Sequence, residues 1–383
     1  MKKVMLVFGT RPEAIKMCPL VLELRSRPDY FDVVVCVTAQ HREMLDQVMG
    51  VFNVVPDIDL NLMKKGQDLF DITASVLLRM KDVLKVHAPD IVLVHGDTTT
   101  SLAASVAAYY QGVSVGHIEA GLRTGDIYSP FPEEFNRQVV GKLATVHFAP
   151  TDLAAKNLLD EKVNPSKIVV TGNTVIDALH WVLSKQDAEF SDTAKLRDNL
   201  LKLLGFDFSA SPFVLVTGHR RENFGNGFID ICEAIRDLAE SFKDYHFVYP
   251  VHLNPNVREP VNQILKDSSN IHLVEPLDYE PFVFLLKHSY LILTDSGGIQ
   301  EEAPSLGKPV LLMRDVTERP EALEAGTVEL VGAQRERIYN GVSKLINDKS
   351  HYLRMSHAHN PYGDGTACKI IANKLKEPIC KQK

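Results

Sequence analysis

The sequence predicts an α/β protein with two Rossmann-like domains, each a doubly wound parallel sheet, facing each other across a cleft. Its 383 residues exceed what one ordinary core holds, so we expect two domains of roughly 170 to 200 residues each. Short apolar, β-branched runs alternate with longer amphipathic stretches, which is the pattern of βαβ units around parallel sheets. This alternation restarts near residue 213 and therefore predicts a second sheet.

The first domain is predicted over residues 1–172. Its strands are expected at residues 4–8, 33–38, 91–95, 114–118, 145–148 and 168–171. The helices between them include residues 14–26, 69–86 and 99–110. We place a hinge near Gly172, Asn173 and Thr174.

The second domain is predicted over residues 173–362, where a polar stretch and a loop precede the sheet. Its strands are expected at residues 213–217, 246–249, 271–274, 290–294, 310–313 and 328–331, with helices such as 235–242 and 335–347. Ligands of doubly wound sheets bind beyond the carboxyl ends of the strands. Polar residues that directly follow a strand are therefore the candidates for a site.

The composition is that of an ordinary globular protein, with 45% hydrophobic and 24% charged residues. A formal net charge of −7 argues against a general nucleic-acid or anionic-membrane binder. The apolar run at residues 4–8 ends at Gly9, too early for a signal peptide. No segment approaches the ~18 uninterrupted apolar residues of a membrane span, so we expect a cytoplasmic protein.

The cysteines and histidines give no support for a metal site or a disulfide. The five cysteines have no CxxC spacing, and the fourteen histidines contain no HExxH pattern. We expect the thiols to be reduced and mostly buried. The first strand leads into Gly9, Thr10 and Arg11 rather than GxGxxG, so nicotinamide binding is disfavoured and no cofactor is expected.

Arg11 and three acids follow predicted strands or open helices in the first half of the chain. Arg11 can reach an oxyanion at a helix start, or simply lie in solvent beside a structural turn. Asp97, Glu119 and Glu133 are candidate acid/base groups. Two of them have a structural alternative as well: Asp97 suits a helix N-cap, and Glu133 suits the dipole of a helix that opens with a proline.

In the second half, two strand ends carry features that suit a diphosphate. His219 lies between Gly218 and two arginines, although a lone histidine is often only a structural hydrogen-bonding residue. The turn Ser296, Gly297, Gly298 opens a helix, where bare amides and the helix dipole favour an anion. Glu302, one helical turn further on, can bind ribose hydroxyls; the alternative is an ordinary glycine turn with acids in the first turn.

Long motifs follow one another in order from Val4 to about Leu375. They are FGTRPEAIK, VHGDTTT, HIEAGLR, PFPEEFNR, GNTVIDAL, TGHRREN, VYPVHLNPNVREP, LTDSGGIQEEAPSLGKPV, ERPEA and NPYGDG. In these motifs the chain closely resembles the bacterial non-hydrolysing UDP-N-acetylglucosamine 2-epimerases. The resemblance implies a GT-B-like fold, with a C-terminal helix within residues 363–383 that crosses back to the first domain, and a homodimer.

The resemblance also implies a reaction and its residues. Family members interconvert UDP-N-acetylglucosamine and UDP-N-acetylmannosamine through elimination of UDP to 2-acetamidoglucal and re-addition, and supply amino sugar for cell-surface polysaccharide. It implies Asp97, Glu119 and Glu133 for proton transfer and His219 for departure of the diphosphate. The remaining pocket residues implied by the resemblance are Arg11, Lys16, Leu277, Phe282, Ser296, Gly297, Gly298, Glu302 and Arg319.

Some members hold a second substrate molecule as an activator, and two departures from their pattern argue against obligatory activation here. Glu43 stands where those relatives have glutamine and Gly66 where they have arginine, while Gln40 and His41 are kept. We therefore expect hyperbolic kinetics. The competing interpretations are a UDP-sugar-dependent glycosyltransferase of the same fold, a hydrolysing epimerase, and an inactive UDP-sugar sensor.

Overall fold

A computed structural model describes residues 1–38, 42–62, 64 and 66–378 of the chain. It divides into two compact units. Unit 1 comprises Met1–Trp181 together with Tyr362–Lys383, and unit 2 comprises Val182–Pro361. Within the described residues, no helix combines the length and the apolar character needed to cross a membrane.

The described part of unit 1 contains a seven-stranded parallel sheet in the order β3-β2-β1-β4-β5-β6-β7. Its strands are β1 (Lys2–Phe8), β2 (Phe31–Val37), β3 (Ile58–Asp59), β4 (Ile91–His95), β5 (Ser114–Ile118), β6 (Val146–Ala149) and β7 (Ile168–Val170). The central strands β4 and β5 are buried along their whole length. A parallel sheet covered on both faces requires such continuous apolar strands, which is why the sequence pattern is easy to recognise.

Helices connect these strands and cover the sheet. They are α1 (Arg11–Arg25), α2 (Arg42–Val51), α3 (Leu69–His87), α4 (Thr99–Tyr110), α5 (Glu133–Leu143), α6 (Asp152–Asp160) and α7 (Thr174–Ala188). The strand order reverses between β1 and β4, which makes their carboxyl ends the topological switch point of the sheet.

The described part of unit 2 repeats this plan with a six-stranded parallel sheet in the order β10-β9-β8-β11-β12-β13. The strands are β8 (Phe213–Thr217), β9 (His246–Pro250), β10 (Ile271–Val274), β11 (Leu291–Thr294), β12 (Val310–Leu312) and β13 (Val328–Leu330). Here the order reverses between β8 and β11. Their parallel pairing places Thr217 opposite Thr294, so the loops that follow these two residues start side by side.

The helices of unit 2 pack around a core of buried aliphatic and aromatic side chains. They are α8 (Phe190–Leu204), α9 (Asn226–Ser241), α10 (Pro255–Leu265), α11 (Tyr279–His288), α12 (Ile299–Ser305), α13 (Pro320–Glu324), α14 (Arg335–Asn347) and α15 (Lys349–Ser356). The last helix, α16 (Ala367–Lys376), belongs to unit 1 and packs against α1.

The predicted sheets are confirmed, and the differences lie at edges and polar segments. The short edge strand β3 was not predicted, because two residues carry no periodicity. Helix α9 begins well before the predicted residue 235. The polar stretch 184–198 is largely helical, because it covers the end of α7 and most of α8. Helix α8 buries Leu200 and Leu204 and has a mainly polar outer face, which is why its sequence is polar.

The division between the units falls within α7, later than the hinge predicted at Gly172. The backbone N–H of Asn173 donates to the carbonyl of Tyr362 at 2.8 Å, which ties this segment to the C-terminal segment of unit 1. Further along, Asp177 accepts the backbone N–H groups of Ala367 at 3.2 Å and Cys368 at 2.9 Å. The start of α7 and the start of α16 are therefore held together within one unit.

Candidate active site

The switch point of unit 1 is organised around the buried carboxylate of Glu13. One oxygen accepts the backbone N–H groups of Gly9 at 3.0 Å and Thr10 at 2.8 Å, in a capping box that starts α1. The other accepts the hydroxyl of Thr98 at 2.7 Å. Burial raises the pKa of Glu13, although these hydrogen bonds oppose the rise. Glu13 thus fixes the loop that carries Arg11 against the loop that carries Asp97.

Asp97 directly follows the short Gly96 turn after β4 and is not the cap of the next helix. Thr98 is the N-cap of α4, and its hydroxyl accepts the N–H of Ser101 at 3.1 Å. Asp97 instead pairs with Arg137 of α5, whose Nε lies 3.1 Å from Oδ2 and whose Nη2 contacts the same oxygen. The capping interpretation of Asp97 is therefore wrong, and its carboxylate is oriented by a nearly buried guanidinium.

Glu119 follows β5 and has a left-handed backbone conformation, with φ +61°. Such a conformation is unfavourable for a glutamate and is typical of functional positions that the surrounding structure enforces. Its carboxylate forms a buried ion pair with Lys16 and accepts Nδ2 of Asn173 at 2.6 Å. A Cβ placed on Gly96 would lie 3.5 Å from Oε1 of Glu119, so Glu119 and the Asp97 loop are immediate neighbours.

The adjacent acids Glu133 and Glu134 at the start of α5 differ in environment. Glu134 is fully buried, and its Oε2 accepts the N–H of Thr124 at 3.1 Å and Nη1 of Arg137 at 3.2 Å. Glu133 is only half-buried. Since Arg137 also pairs with Asp97, the start of α5 lies beside the β4 loop. Glu134 is therefore a buried structural acid, whereas the side chain of Glu133 remains partly exposed.

Three buried histidines lie beneath these acids on β4, β5 and β6. Burial lowers the pKa of His95 to about 4, and Nε2 of His95 lies 3.8 Å from Oε2 of Glu119. Burial likewise lowers the pKa of His117 to about 3 and of His147 to about 4. Nε2 of His117 lies 2.7 Å from the carbonyl oxygen of Gly96. Since a carbonyl can only accept a hydrogen bond, Nε2 carries the proton and donates it. These neutral rings support the strand ends without adding charge.

In unit 2, His219 lies in the loop after β8, at the switch point of the sheet. The side chain is 42% exposed, and Nδ1 lies 3.5 Å from Oδ1 of the buried Asp295, which follows β11. Burial lowers the pKa of His219; Asp295 opposes this, while Arg220 and His252 add to it. The ring is therefore partly open to solvent and lies against a fixed anion.

The turn Ser296, Gly297, Gly298 joins β11 to α12, and Arg319 packs directly against it. A Cβ on Gly297 would lie only 2.7 Å from Nη1 of Arg319, so the guanidinium needs a glycine at this position. Arg319 is already paired, through Nε with Glu301 at 2.6 Å and through Nη1 with Glu318 at 3.0 Å. Its charge is thus largely balanced by protein carboxylates.

Glu302 of α12 is buried, and its Oε1 accepts the hydroxyl of Tyr279 at 2.8 Å. Tyr279 opens α11, the same helix that carries Phe282, and Leu277 lies two residues before it. Leu277 and Phe282 are both half-buried. Three of the pocket residues that the resemblance implies, Leu277, Phe282 and Glu302, therefore lie around the start of one helix.

No cluster of histidine, cysteine or acidic side chains suited to a metal ion occurs in the part of the chain that the structure describes. The thiols of Cys18, Cys36, Cys232 and Cys368 are free and buried, as predicted, and Cys380 lies outside the described residues. The site in each unit therefore consists of carboxylates, amides and basic side chains.

Comparison with known proteins assigns these motifs to a family. The family model described as UDP-N-acetylglucosamine 2-epimerase matches residues 23–376. The chain belongs to the UDP-N-acetylglucosamine 2-epimerase family. It is 59% identical over 374 residues to the enzyme of that name from Escherichia coli strain K12, covering 98% of both chains. It is 54% identical over 377 residues to the one from Campylobacter jejuni, covering 98% of this chain and 97% of that one.

Solved structures of the family have the same fold. A UDP-GlcNAc 2-epimerase from Neisseria meningitidis bound to UDP-GlcNAc superimposes with a TM-score of 0.91 at 51% identity, covering 97% of this chain and 99% of that one. The enzyme from Methanocaldococcus jannaschii in complex with UDP-GlcNAc and UDP has a TM-score of 0.81 at 32% identity, with the same coverage. Both are complexes of UDP-sugar enzymes on this architecture.

Four residues next to the candidate site had no predicted role. They are Arg137 beside Asp97, Asn173 beside Glu119, Tyr279 beside Glu302 and Asp295 beside His219. Only Asp295 carries a local signal, because it directly follows a strand. The other three are far in sequence from the carboxylates they contact.

Proposed function

We propose that this chain interconverts UDP-N-acetylglucosamine and UDP-N-acetylmannosamine by inverting C2, without a nicotinamide cofactor. The observation that carries the proposal is the pair of neighbouring strand-end acids in unit 1: Asp97 oriented by Arg137, and Glu119 held by Lys16 and Asn173. Inversion at carbon requires proton removal on one face and return on the other. Positioned carboxylates are suited to both steps.

The reaction proceeds through elimination of UDP. The C1–O bond breaks and its electron pair leaves with UDP, while a carboxylate removes the C2 proton. The C2–H electrons form the C1=C2 double bond of 2-acetamidoglucal. The C2 hydrogen is not acidic in the parent sugar but becomes so as positive charge develops at C1, so departure of UDP and proton removal must occur together.

Re-addition completes the inversion. An oxygen of the UDP β-phosphate attacks C1, the double-bond electrons form a new C2–H bond, and a carboxylic acid delivers that proton from the opposite face. We assign the proton transfers to Asp97, Glu119 and Glu133. His219, as the imidazolium, donates to the departing diphosphate oxygen and stabilises its charge.

UDP binding is assigned mainly to unit 2. The amides of Ser296, Gly297 and Gly298 and the side chain of Arg11 are the proposed diphosphate ligands. Glu302 would accept ribose hydroxyls, and backbone groups near Leu277 and Phe282 would bind uracil. The paired Arg319 then acts chiefly as the support of the glycine turn, since Glu301 and Glu318 balance its charge.

Hydrogen exchange at C2 tests this function directly. The enzyme is incubated with UDP-N-acetylglucosamine alone in deuterated water, and the sugar is followed by NMR. We expect UDP-N-acetylmannosamine to form and deuterium to appear at C2. An unexchanged donor that transfers its sugar to an acceptor would indicate a glycosyltransferase. Release of free N-acetylmannosamine would indicate hydrolysis, and an inert donor would indicate a sensor.

Tyr279→Phe is expected to weaken UDP binding with little effect on turnover. The substitution removes the hydroxyl that orients the buried Glu302 carboxylate. Loss of a hydrogen bond to a charged group predicts a rise of about tenfold in the Kd for UDP, with kcat within about twofold. Calorimetric titration measures the affinity. Tyr290→Phe, whose hydroxyl donates to the carbonyl of Leu345, serves as the matched control and should bind UDP normally.

The forward velocity is expected to follow a hyperbolic dependence on UDP-N-acetylglucosamine. Glu43 lies exposed in the first turn of α2, and Gly66 has φ +81°, a conformation that an arginine adopts only with strain. Gln40 and His41 lie outside the described residues. A sigmoidal velocity curve would show that a second substrate molecule activates the enzyme despite these two substitutions.

We also propose that the enzyme is a cytoplasmic homodimer whose product is used for cell-surface polysaccharide. The outer faces of α3 and α4 carry exposed apolar side chains, with Phe70 84%, Leu78 64% and Tyr110 72% exposed. Large apolar side chains exposed on two neighbouring helices are candidates for an association surface. Light scattering should give about twice the chain mass of 42.7 kDa.

A further inference from the structure

Asp295 is a fully buried carboxylate at the switch point of unit 2. It follows β11, and its side chain has 0% exposure. Its neighbour across the paired strands is the loop after β8, which contains His219. A buried charge must be compensated by hydrogen bonds or an opposite charge, so the two oxygens of Asp295 define its role.

One oxygen of Asp295 accepts hydrogen bonds from the segment that follows β8 and contains His219. Oδ2 accepts the N–H of His219 at 2.8 Å and the N–H of Arg220 at 2.8 Å, and Nδ2 of Asn223 lies 3.4 Å away. The same loop is held from below by Tyr249, whose hydroxyl donates to the carbonyl of Gly218 at 3.1 Å. This oxygen therefore fixes the backbone segment that carries the imidazole ring.

The other oxygen is directed at the imidazole itself. Oδ1 is buried and has no hydrogen-bond partner among the described residues, and Nδ1 of His219 lies 3.5 Å from it. Catalytic hydrogen bonds of this length commonly shorten in the substrate complex. The other ionisable groups facing the ring are Arg220, the next residue, and His252, whose ring centroid lies 5.4 Å from that of His219. Asp295 supplies the negative charge beside the ring.

We propose that Asp295 is a positioning residue whose Oδ1 accepts the Nδ1 proton of His219, leaving Nε2 to carry the proton that is donated to the departing diphosphate. The inference rests on the role proposed above for His219. A neutral imidazole held in this way has its lone pair on Nε2, and protonation creates the Nε2–H donor. The carboxylate stabilises the resulting imidazolium without taking the proton.

The wild-type enzyme allows a first test that does not depend on turnover. In protein labelled with ¹⁵N-histidine, the His219 ring signals are assigned by their loss in His219→Asn. Above the pKa of His219 we expect a protonated Nδ1 and a bare Nε2. An Nε2–H tautomer in the wild type would overturn the proposal.

Asp295→Asn provides the second test, because the amide oxygen can still accept the two backbone N–H groups while the NH₂ group faces Nδ1. The NH₂ group favours the opposite tautomer. We expect kcat to fall by about 100-fold with KM within about threefold. Asp295 raises the pKa of His219, and the imidazolium is the active form, so the alkaline limb of the kcat/KM profile should move to lower pH.

A double-variant cycle separates positioning from simple support of the loop. In a His219→Asn background, Asp295→Asn should reduce kcat by less than about twofold further. Tyr249→Phe removes another contact to the same loop and should keep the wild-type tautomer. An unchanged alkaline limb in Asp295→Asn, or an undiminished loss in the double variant, would contradict the proposal. If wild-type enzyme exchanges no deuterium at C2, the proposed function fails, and the tautomer measurement still reports on Asp295.

Discussion

Asp97→Asn is expected to lower turnover by about 10²- to 10⁴-fold, the range that a general acid or base contributes. The change removes a proton carrier and keeps the shape of the side chain. Arg137 can still donate to the amide oxygen at the position of Oδ2, so the loop should stay in place. The Kd for UDP should change by no more than about threefold, because Asp97 is not assigned to the nucleotide.

The measurement combines the rate of deuterium exchange at C2 with calorimetric binding of UDP. Asp160→Asn is a matched control, since it makes the same chemical change in unit 1 at a side chain that is 61% exposed and paired with Lys156 on the surface. Its turnover should equal that of the wild type. Near-normal turnover in Asp97→Asn would remove Asp97 from the catalytic set.

Lys16→Met is expected to lower the free energy of unfolding by about 3 to 5 kcal/mol, the usual cost of removing one partner of a buried ion pair. The side chains of Lys16 and Glu119 are 10% and 8% exposed, so the substitution removes a buried cation from beside the Glu119 carboxylate. Asn173 still donates one hydrogen bond to it. Turnover should fall as well, since the carboxylate loses the group that holds it.

Urea unfolding measures this loss, and a second substitution tests its cause. Lys16→Met combined with Glu119→Gln should recover much of the lost stability, because a neutral amide does not need a counter-charge. Lys156→Met breaks an exposed pair and should cost less than about 1 kcal/mol. A double variant as unstable as Lys16→Met alone would mean that the lysine stabilises unit 1 through packing instead.

Much of the fold could be predicted because its determinants are local. Strands such as β4 and β5 are buried on both faces and appear in the sequence as continuous apolar runs between amphipathic helices. Their carboxyl ends meet at one edge of each sheet, so Asp97, Glu119 and His219 could be chosen from their position alone. The edge strand β3 was not predicted, because a strand of two residues shows no hydrophobic periodicity.

The environment of each chosen residue could not be predicted, because it depends on segments distant in sequence. Whether Asp97 caps α4 or pairs with Arg137 is decided by where α5 packs, and whether Glu134 is structural is decided by Thr124 and Arg137. The sequence alone determined the two-sheet architecture, the family and the strand-end residues, since these follow from periodicity and motif order. Only the tertiary structure decided which carboxylates are paired, buried or open, because burial and hydrogen bonding are set by contacts between distant segments.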